Sequence, residues 1–320
     1  MSIVRKGVAI GGGTGLPAVL RCLLGMDFDT SAIVTMADDG GSSGALREEF
    51  GILPPGDVRN CLVAMADPAS ELARLFQFRF EAGGAIGGHS LGNLVLAALS
   101  ESQGGFPEAV RAAERLLGVR GHVFPSTLAD VRLHGIDATG PRVEGQAALA
   151  HGAGPNMKVG MTPDSPEAYT PALQALEAAD VVVIAPGSLF TSIIPNFLVD
   201  GVAATLRESS ARRVYVCNLA NQRGETQGMD AADHVDALIS HGLSGCLDAV
   251  IVHRLSSDAV AGSLLCDDDV ENGVDVPADD DVLDRIRAHG IQVITADLVD
   301  RDNPCHHAPN RLCRVLNEVL

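Results

Sequence analysis

The stretch GVAIGGGTGLPAVLRCLLG, residues 7–25, introduces the pattern on which the rest of the chain is built. A short apolar run ends at a loop of four glycines and one threonine, and a helical pattern begins directly after it. The apolar residues of that pattern share one helical face: Leu16, Val19, Leu20 and Leu23. Pro17 is compatible with a helix because it lies in the first turn. A strand, a glycine-rich loop and a helix in this order predict the first unit of an α/β fold.

The same alternation continues along the chain. Strand-like runs recur with helical stretches between them: SAIVTMA from residue 31, VVVIAP from 181, RVYVCNL from 213, AVIVHR from 249 and IQVITAD from 291. This order predicts a Rossmann-like, doubly wound, mostly parallel sheet. Residues 121–160 interrupt the rhythm with short runs and many turn residues. We therefore expect a small antiparallel β subdomain or lid, inserted in a single domain that spans residues 1–320.

Composition limits the class of protein. Hydrophobic residues make up 46% of the 320 residues, which is enough for a sizeable core. No stretch reaches the length of a membrane span, and the N-terminus shows no signal peptide, so we expect no membrane span and a cytoplasmic location. The cysteines are seven, scattered and never spaced as C-x-x-C, which predicts reduced thiols rather than a disulfide framework.

The charge balance disfavours polyanionic partners. A net charge of −18 repels nucleic acid and anionic membranes, although a local site can still bind a small anion. Aromatic residues are only 3% of the chain and tryptophan is absent, which disfavours functions that depend on stacking flat rings.

Ligands of open α/β sheets bind outside the carboxyl ends of the strands, where the sequence places four polar or glycine-rich loops. The first is GGGTG, with the candidate phosphate-binding residues Gly11, Gly12, Gly13, Thr14 and Gly15. It lacks the Lys-Ser/Thr of a P-loop, and Leu16 replaces the last glycine of the dinucleotide motif. The alternative is a tight turn between strand and helix.

The second loop begins with Asp38 and Asp39, directly after an apolar run. Two adjacent carboxylates would repel a bare phosphate, so we expect them to hold a divalent cation that bridges phosphates, or to accept hydrogen bonds from sugar hydroxyls. The alternative is a solvated turn. Asp57 is predicted to cap the next helix. Further candidates facing the same pocket are Gly40, Gly41, Ser42, Ser43, Arg59 and Asn60.

The third and fourth loops supply further polar groups. His89 and Asn93 are four residues apart and are predicted to share a helical face, where His89 more readily donates a hydrogen bond than acts as a general acid or base. The fourth loop predicts an anion site at a helix start, with simple capping as the alternative; its candidates are Gly187, Ser188, Leu189, Thr191 and Ser192. Asn218 and Gln222, after the next strand, are predicted to read a base or sugar. No catalytic triad can be assembled from the spacing.

Together these motifs resemble a known family. GGGTGL, TMADDGGSSGALREEFGILPPGDVRNCLVAMA, HSLGNL, APGSLFTSIIPN and CNLANQRGETQGMDAADHV are similar to the gluconeogenesis-factor family of the YvcK type, within the superfamily of 2-phospho-L-lactate transferase, CofD. The resemblance covers nearly the whole chain. It implies a Rossmann-like fold, a cytoplasmic location and a role in cell shape and growth on gluconeogenic carbon sources. It also implies binding of UDP-sugars such as UDP-N-acetylglucosamine, with no established reaction.

The related transferase supplies the alternative function. It joins a phospholactyl group, donated from a guanosine diphosphate carrier, to a deazaflavin alcohol, with magnesium. The resemblance carries its acidic metal-and-acceptor loop to Asp38 and Asp39, and its nucleotide edge to the glycine loop. The C-terminal CHHAP departs from the family's frequent Arg-His-Asp-Pro, because His306 replaces the arginine and Ala308 the aspartate.

The sequence therefore favours a regulatory protein that binds a nucleotide sugar and requires no cofactor, with Mg²⁺ accompanying a nucleotide diphosphate as the option left open. The alternative is a Mg²⁺-dependent phospholactate-type or nucleotidyl transferase that uses Asp38 and Asp39. A dehydrogenase is disfavoured by the incomplete glycine motif. Whether the chain forms a homo-oligomer, and which protein it regulates, are left open.

Overall fold

The computed structural model describes residues 4–81, 83–84, 86–136, 143–152, 157–254, 274–303 and 305–320. Within these ranges the strands are β1 (Lys6–Gly11), β2 (Asp29–Val34), β3 (His122–Pro125), β4 (Arg132–Ile136), β5 (Val143–Glu144), β6 (Lys158–Thr162), β7 (Val181–Ile184), β8 (Arg212–Val216), β9 (Ala220–Asn221), β10 (Ala249–His253), β11 (Val274–Asp275) and β12 (Gln292–Ala296). The α-helices are α1 (Gly15–Gly25), α2 (Gly41–Phe50), α3 (Gly56–Met65), α4 (Glu71–Gln77), α5 (Leu91–Gln103), α6 (Phe106–Leu117), α7 (Gln146–Gly152), α8 (Thr170–Glu177), α9 (Val202–Glu208), α10 (Ala231–Leu238), α11 (Asp280–Ala288) and α12 (Pro309–Val319). None of the helices described is long and apolar enough to cross a membrane.

The main sheet has seven parallel strands in the order β12-β10-β8-β7-β1-β2-β3. The chain runs outward from β1 to β3, and the later strands then fill the other side, beginning with β7 against β1. The predicted doubly wound parallel sheet is therefore confirmed. Every residue of β7 is fully buried, which explains its unbroken apolar sequence: a parallel sheet has both faces covered by helices.

A small antiparallel sheet is inserted between the two halves, as the sequence predicts. Its order is β5-β4-β6, with Leu133 paired to Met161. It begins at Arg132 rather than at residue 121, because His122–Pro125 joins the main sheet as a parallel neighbour of β2. Helix α7 packs against β4 and against the turn Leu189–Ile193, so the insertion reaches the loops at the carboxyl ends of the main strands.

The cysteines differ from the prediction. Cys22 on α1 and Cys313 on α12 form a disulfide, and Cys305 is also disulfide-bonded, so the expectation of reduced thiols was wrong for these residues. Helices α1 and α12 pack side by side and bring the first pair to a Cα–Cα distance of 4.8 Å, although 291 residues separate them in sequence. Sequence spacing cannot reveal such a pair.

One close contact joins the first and second halves of the sheet. A Cβ atom added at Gly15, the first residue of α1, would lie 1.9 Å from the carbonyl oxygen of Pro186, which follows β7. Glycine is therefore needed here so that the protein's own backbone can approach, and α1 begins directly against the loop after β7.

We expect Gly15→Ala to lower the free energy of unfolding by about 3 kcal/mol, because a backbone atom must move to admit the methyl group. Gly25→Ala is the matched control at the exposed end of the same helix. Nothing lies within 4 Å of its added Cβ, so a gain of up to about 1 kcal/mol is expected. Urea unfolding of both variants measures their free energies of unfolding. A Gly15→Ala variant as stable as wild type would contradict the close contact with Pro186.

Candidate functional site

A cavity of about 240 Å³ opens at the carboxyl ends of β1, β7 and β8. It is lined by Thr14, Gly15, Ala18, Pro186, Gly187, Asn218, Leu219, Ala220, Asn221, Gln222, Cys305, His306 and His307. This is the point at which the strand order reverses, where ligands of doubly wound folds bind. The structure thus brings together parts of the first and fourth predicted loops, and adds the C-terminal segment in which His306 departs from the family pattern.

Helix α1 presents its N-terminus to this cavity. Thr14, its N-cap residue, is exposed and makes no side-chain capping hydrogen bond. The first backbone N–H groups of a helix have no partner within the helix, so they can donate to an anion. The first predicted loop therefore has the geometry of a phosphate site on its Thr14–Gly15 side.

Gly12 and Gly13 face the opposite way, toward a carboxylate. The side chain of Asp57 accepts a hydrogen bond from the Gly13 backbone, and a Cβ added at Gly12 would lie 2.7 Å from Asp57 Oδ2. Asp57 is in the first turn of α3 and does not cap it; Pro55 holds the N-cap position. Burial raises the pKa of Asp57 to about 6, with the charge of Asp38 adding to the rise and the Gly13 hydrogen bond opposing it.

Asp38 and Asp39 have different surroundings. One oxygen of Asp38 accepts from the Gly40 N–H at 3.1 Å, and the other points toward the start of α3, 3.3 Å from the position of a Cβ added at Gly56. Asp39 accepts from the N–H groups of Gln146 at 2.8 Å and Ala147 at 2.9 Å, so it holds the first turn of α7. Asp57, and not Asp39, is thus the carboxylate beside the glycine loop, and the charge of Asp38 acts on it.

The fourth loop already contains an anion from the protein itself. Glu225 accepts from the backbone N–H of Phe190 at 2.9 Å and of Thr191 at 3.1 Å, and from the Thr191 hydroxyl at 3.3 Å. Burial raises its pKa to about 7, against these hydrogen bonds, which lower it. Thr191 and Ser192 are buried, and Leu189 is a core residue. A carboxylate therefore occupies the N–H groups that we expected to bind phosphate.

Five of the predicted residues form a polar cluster: Ser42, Arg59, Asn60, His89 and Asn93. Ser42 Oγ lies 2.9 Å from His89 Nδ1 and accepts from Asn93 Nδ2, also at 2.9 Å. The helix begins after His89, with Ser90 as N-cap, so His89 and Asn93 do not share a helical face and meet at Ser42 instead.

Buried Arg59 ties this cluster together. It donates to Asn93 Oδ1 at 3.0 Å, to Asn60 Oδ1 at 2.7 Å and to Ser90 Oγ. Its pKa is lowered by burial and then by the charge of Arg79. Ser43 faces inward as well, accepting from the Gly56 N–H at 3.2 Å. Through Asn93, the network orients Ser42 and His89. Gly41 stays at the surface with open space around it.

The Asn218 side chain joins two loops by hydrogen bonds to the Gly187 backbone. Its Oδ1 accepts from the Gly187 N–H at 3.0 Å, and its Nδ2 donates to the Gly187 carbonyl at 2.7 Å. Because both ends of the amide are used, Asn218 fixes the cavity wall. Sequence reasoning missed the roles of Asp57 and Glu225, although both lie inside motifs it had singled out.

We expect the carboxyls of Asp57 and Glu225 to make stability depend on pH. Both pKa values are raised, so folding is favoured while the groups are protonated and this contribution is lost as pH rises, from 3.8 to about 6 for Asp57 and from 4.5 to about 7 for Glu225. Relative to wild type, Asp57→Asn and Glu225→Gln should therefore gain stability as pH rises through these windows, each by about 3 kcal/mol. Urea unfolding from pH 4 to 8 measures the difference; a difference independent of pH would contradict the assignment.

Known proteins provide an independent comparison. The family described as 2-phospho-L-lactate transferase CofD matches residues 8–299. The gluconeogenesis factor of Bacillus subtilis strain 168 is 38% identical over 311 residues, 97% of this chain and 96% of that protein. A putative gluconeogenesis factor of Nostoc is 50% identical over 255 residues, but the match covers 79% of this chain and only 56% of that protein. A crystal structure of a protein from Bacillus halodurans superposes with a TM-score of 0.89 at 38% identity, covering 98% of this chain and 100% of that one.

Proposed function

The chain belongs to the 2-phospho-L-lactate transferase CofD family, with gluconeogenesis factors among its relatives, and we propose that it is a cytoplasmic regulatory protein that binds a nucleotide sugar of the UDP-N-acetylglucosamine type. The proposed role is in normal cell shape and growth on gluconeogenic carbon sources. The observation that supports a nucleotide ligand is the cavity at the β1–β7 switch point, which an uncapped helix N-terminus and an amide-rich segment both line.

The position of the diphosphate follows from which N–H groups are already used. Glu225 engages the N–H groups of Phe190 and Thr191, whereas Thr14, the N-cap residue of α1, makes no side-chain capping hydrogen bond. We therefore place the diphosphate at Thr14 and Gly15, with the nucleoside toward residues 218–222 and His306 at the cavity mouth. An α-helix N-terminus suits this position because its dipole favours negative charge, even on a chain of net charge −18.

UDP-N-acetylglucosamine is expected to raise the melting temperature more than NAD does, since a ligand that binds only the native state stabilises it by RT ln(1 + [L]/Kd). At 100 times Kd this amounts to about 2.7 kcal/mol, which a thermal scan resolves readily. Equal or greater stabilisation by NAD would overturn the ranking of ligands.

A transferase is the second candidate, and the pair Asp38 and Asp57 favours it. The charge of Asp38 raises the pKa of Asp57, and Asp57 lies beside Gly12 while Asp38 lies beside Gly56, the residue before Asp57. No group of three or more His, Cys, Asp or Glu side chains in the described ranges could hold a metal ion alone. Two carboxylates nevertheless suit Mg²⁺, which commonly binds through one or two carboxylates together with substrate phosphates. Held by these two carboxylates, Mg²⁺ would neutralise charge on the phosphoryl group.

Under this second candidate, Asp38→Asn and Asp57→Asn should each weaken UDP-N-acetylglucosamine binding about ten- to a hundredfold when Mg²⁺ is present, and much less without it. Asp39→Asn is the matched control, because its carboxylate is held by α7. Calorimetry of the three variants with and without Mg²⁺ measures the change in affinity. Incubation of wild type with UDP-N-acetylglucosamine and Mg²⁺ tests whether the ligand is turned over. Losses that ignore Mg²⁺, without turnover, would leave regulatory binding as the function.

A further inference from the structure

Three side-chain amides line the cavity, and two of them are committed to the fold. Asn218 uses its oxygen and its nitrogen on the backbone of Gly187. Asn221 donates from Nδ2 to the Met229 carbonyl at 2.7 Å, and its Oδ1 lies 3.1 Å from His234 Nε2. Both amides are therefore occupied by protein groups before any ligand arrives.

Gln222 is different. Its backbone N–H donates to Thr226 Oγ1 at 2.9 Å, which fixes where its side chain begins. The side chain as a whole is half-buried at the cavity, but its amide oxygen is buried in the wall, where none of the residues that the structure describes donates to it. A buried acceptor without a donor is unfavourable, so this orientation of the amide is disfavoured relative to one in which the oxygen accepts from an N–H group. Rotation about the last side-chain torsion turns the oxygen toward the cavity.

We propose that Gln222 reads the nucleobase of the ligand by accepting a hydrogen bond from a ring N–H. The inference rests on the proposed function, since it requires a nucleotide in this cavity. Uracil carries such a group at N3 and guanine at N1, whereas the equivalent ring nitrogen of adenine or cytosine is an acceptor and would face the Gln222 oxygen unfavourably. A site that hydrogen-bonds its ligand discriminates strongly against an analogue that lacks the group.

The test uses the ratio of two dissociation constants. UDP and its N3-methyl analogue differ only in the N–H that Gln222 accepts, and GDP and its N1-methyl analogue form the corresponding pair. We expect wild type to bind the unmethylated member of one pair about ten- to a hundredfold more tightly than the methylated member. Whether the UDP or the GDP pair shows this preference identifies the base.

Two variants separate recognition from folding. Gln222→Glu keeps an acceptor at the same position and should keep the ratio, even if its charge weakens both ligands. Gln222→Leu removes the acceptor and should reduce the ratio to near one. Asn221→Ala is the control for structure: it removes the contacts to Met229 and His234, and should lower the melting temperature without changing the ratio.

The outcomes distinguish the two proposals. Binding of UDP or GDP with a wild-type ratio near one, or a ratio that persists in Gln222→Leu, would overturn base reading by Gln222 and leave nucleotide binding intact. Failure of wild type to bind either nucleotide would overturn the proposed function and this inference with it.

Discussion

The pairing of β1 with β7 is the constraint on which the site depends. Residues 7–10 pair in parallel with Val181–Ile184, and this places the loop after the first strand beside a loop that is about 175 residues later in the chain. Glycine at position 15 then lets the first turn of α1 contact the Pro186 carbonyl directly. The same pair forms the switch point of the sheet, so the adjoining crevice arises from topology rather than from a dedicated lid.

Buried carboxylates organise the rest of this edge. Asp57 accepts from Gly13 under the glycine loop, and Glu225 accepts from Phe190 and Thr191 in the fourth loop. Each satisfies backbone donors that would otherwise be orphaned, and each has a raised pKa because burial penalises its charged form. The protein's own carboxylates thus occupy part of this edge, whereas Thr14 makes no side-chain capping hydrogen bond at the start of α1.

The inserted sheet is tied to the same edge through Asp39. Its carboxylate caps α7 across more than a hundred residues of sequence, at 2.8 Å and 2.9 Å, while the neighbouring Asp38 accepts from Gly40 in its own loop. Two adjacent acids therefore have separate partners, the first turn of α7 for Asp39 and the Gly40 N–H for Asp38. The Cys22–Cys313 disulfide links α12 to α1, and the segment that carries His306 directly precedes α12.

The sequence by itself determined the parallel doubly wound sheet, the inserted antiparallel strands and the family, because these depend on local periodicity and on motifs that are contiguous in the chain. It also placed Gly15, Gly187, Asn218 and Gln222 at one sheet edge, since the carboxyl ends of parallel strands meet there. Only the tertiary structure decided which polar groups were free. Asp39, Glu225 and Asn218 look equally available in sequence, yet each is satisfied by backbone groups tens of residues away. The Cys22–Cys313 bond and the burial of Asp57 were decided in the same way, because hydrogen-bond partners, burial and disulfide geometry depend on distances that no short stretch of chain contains.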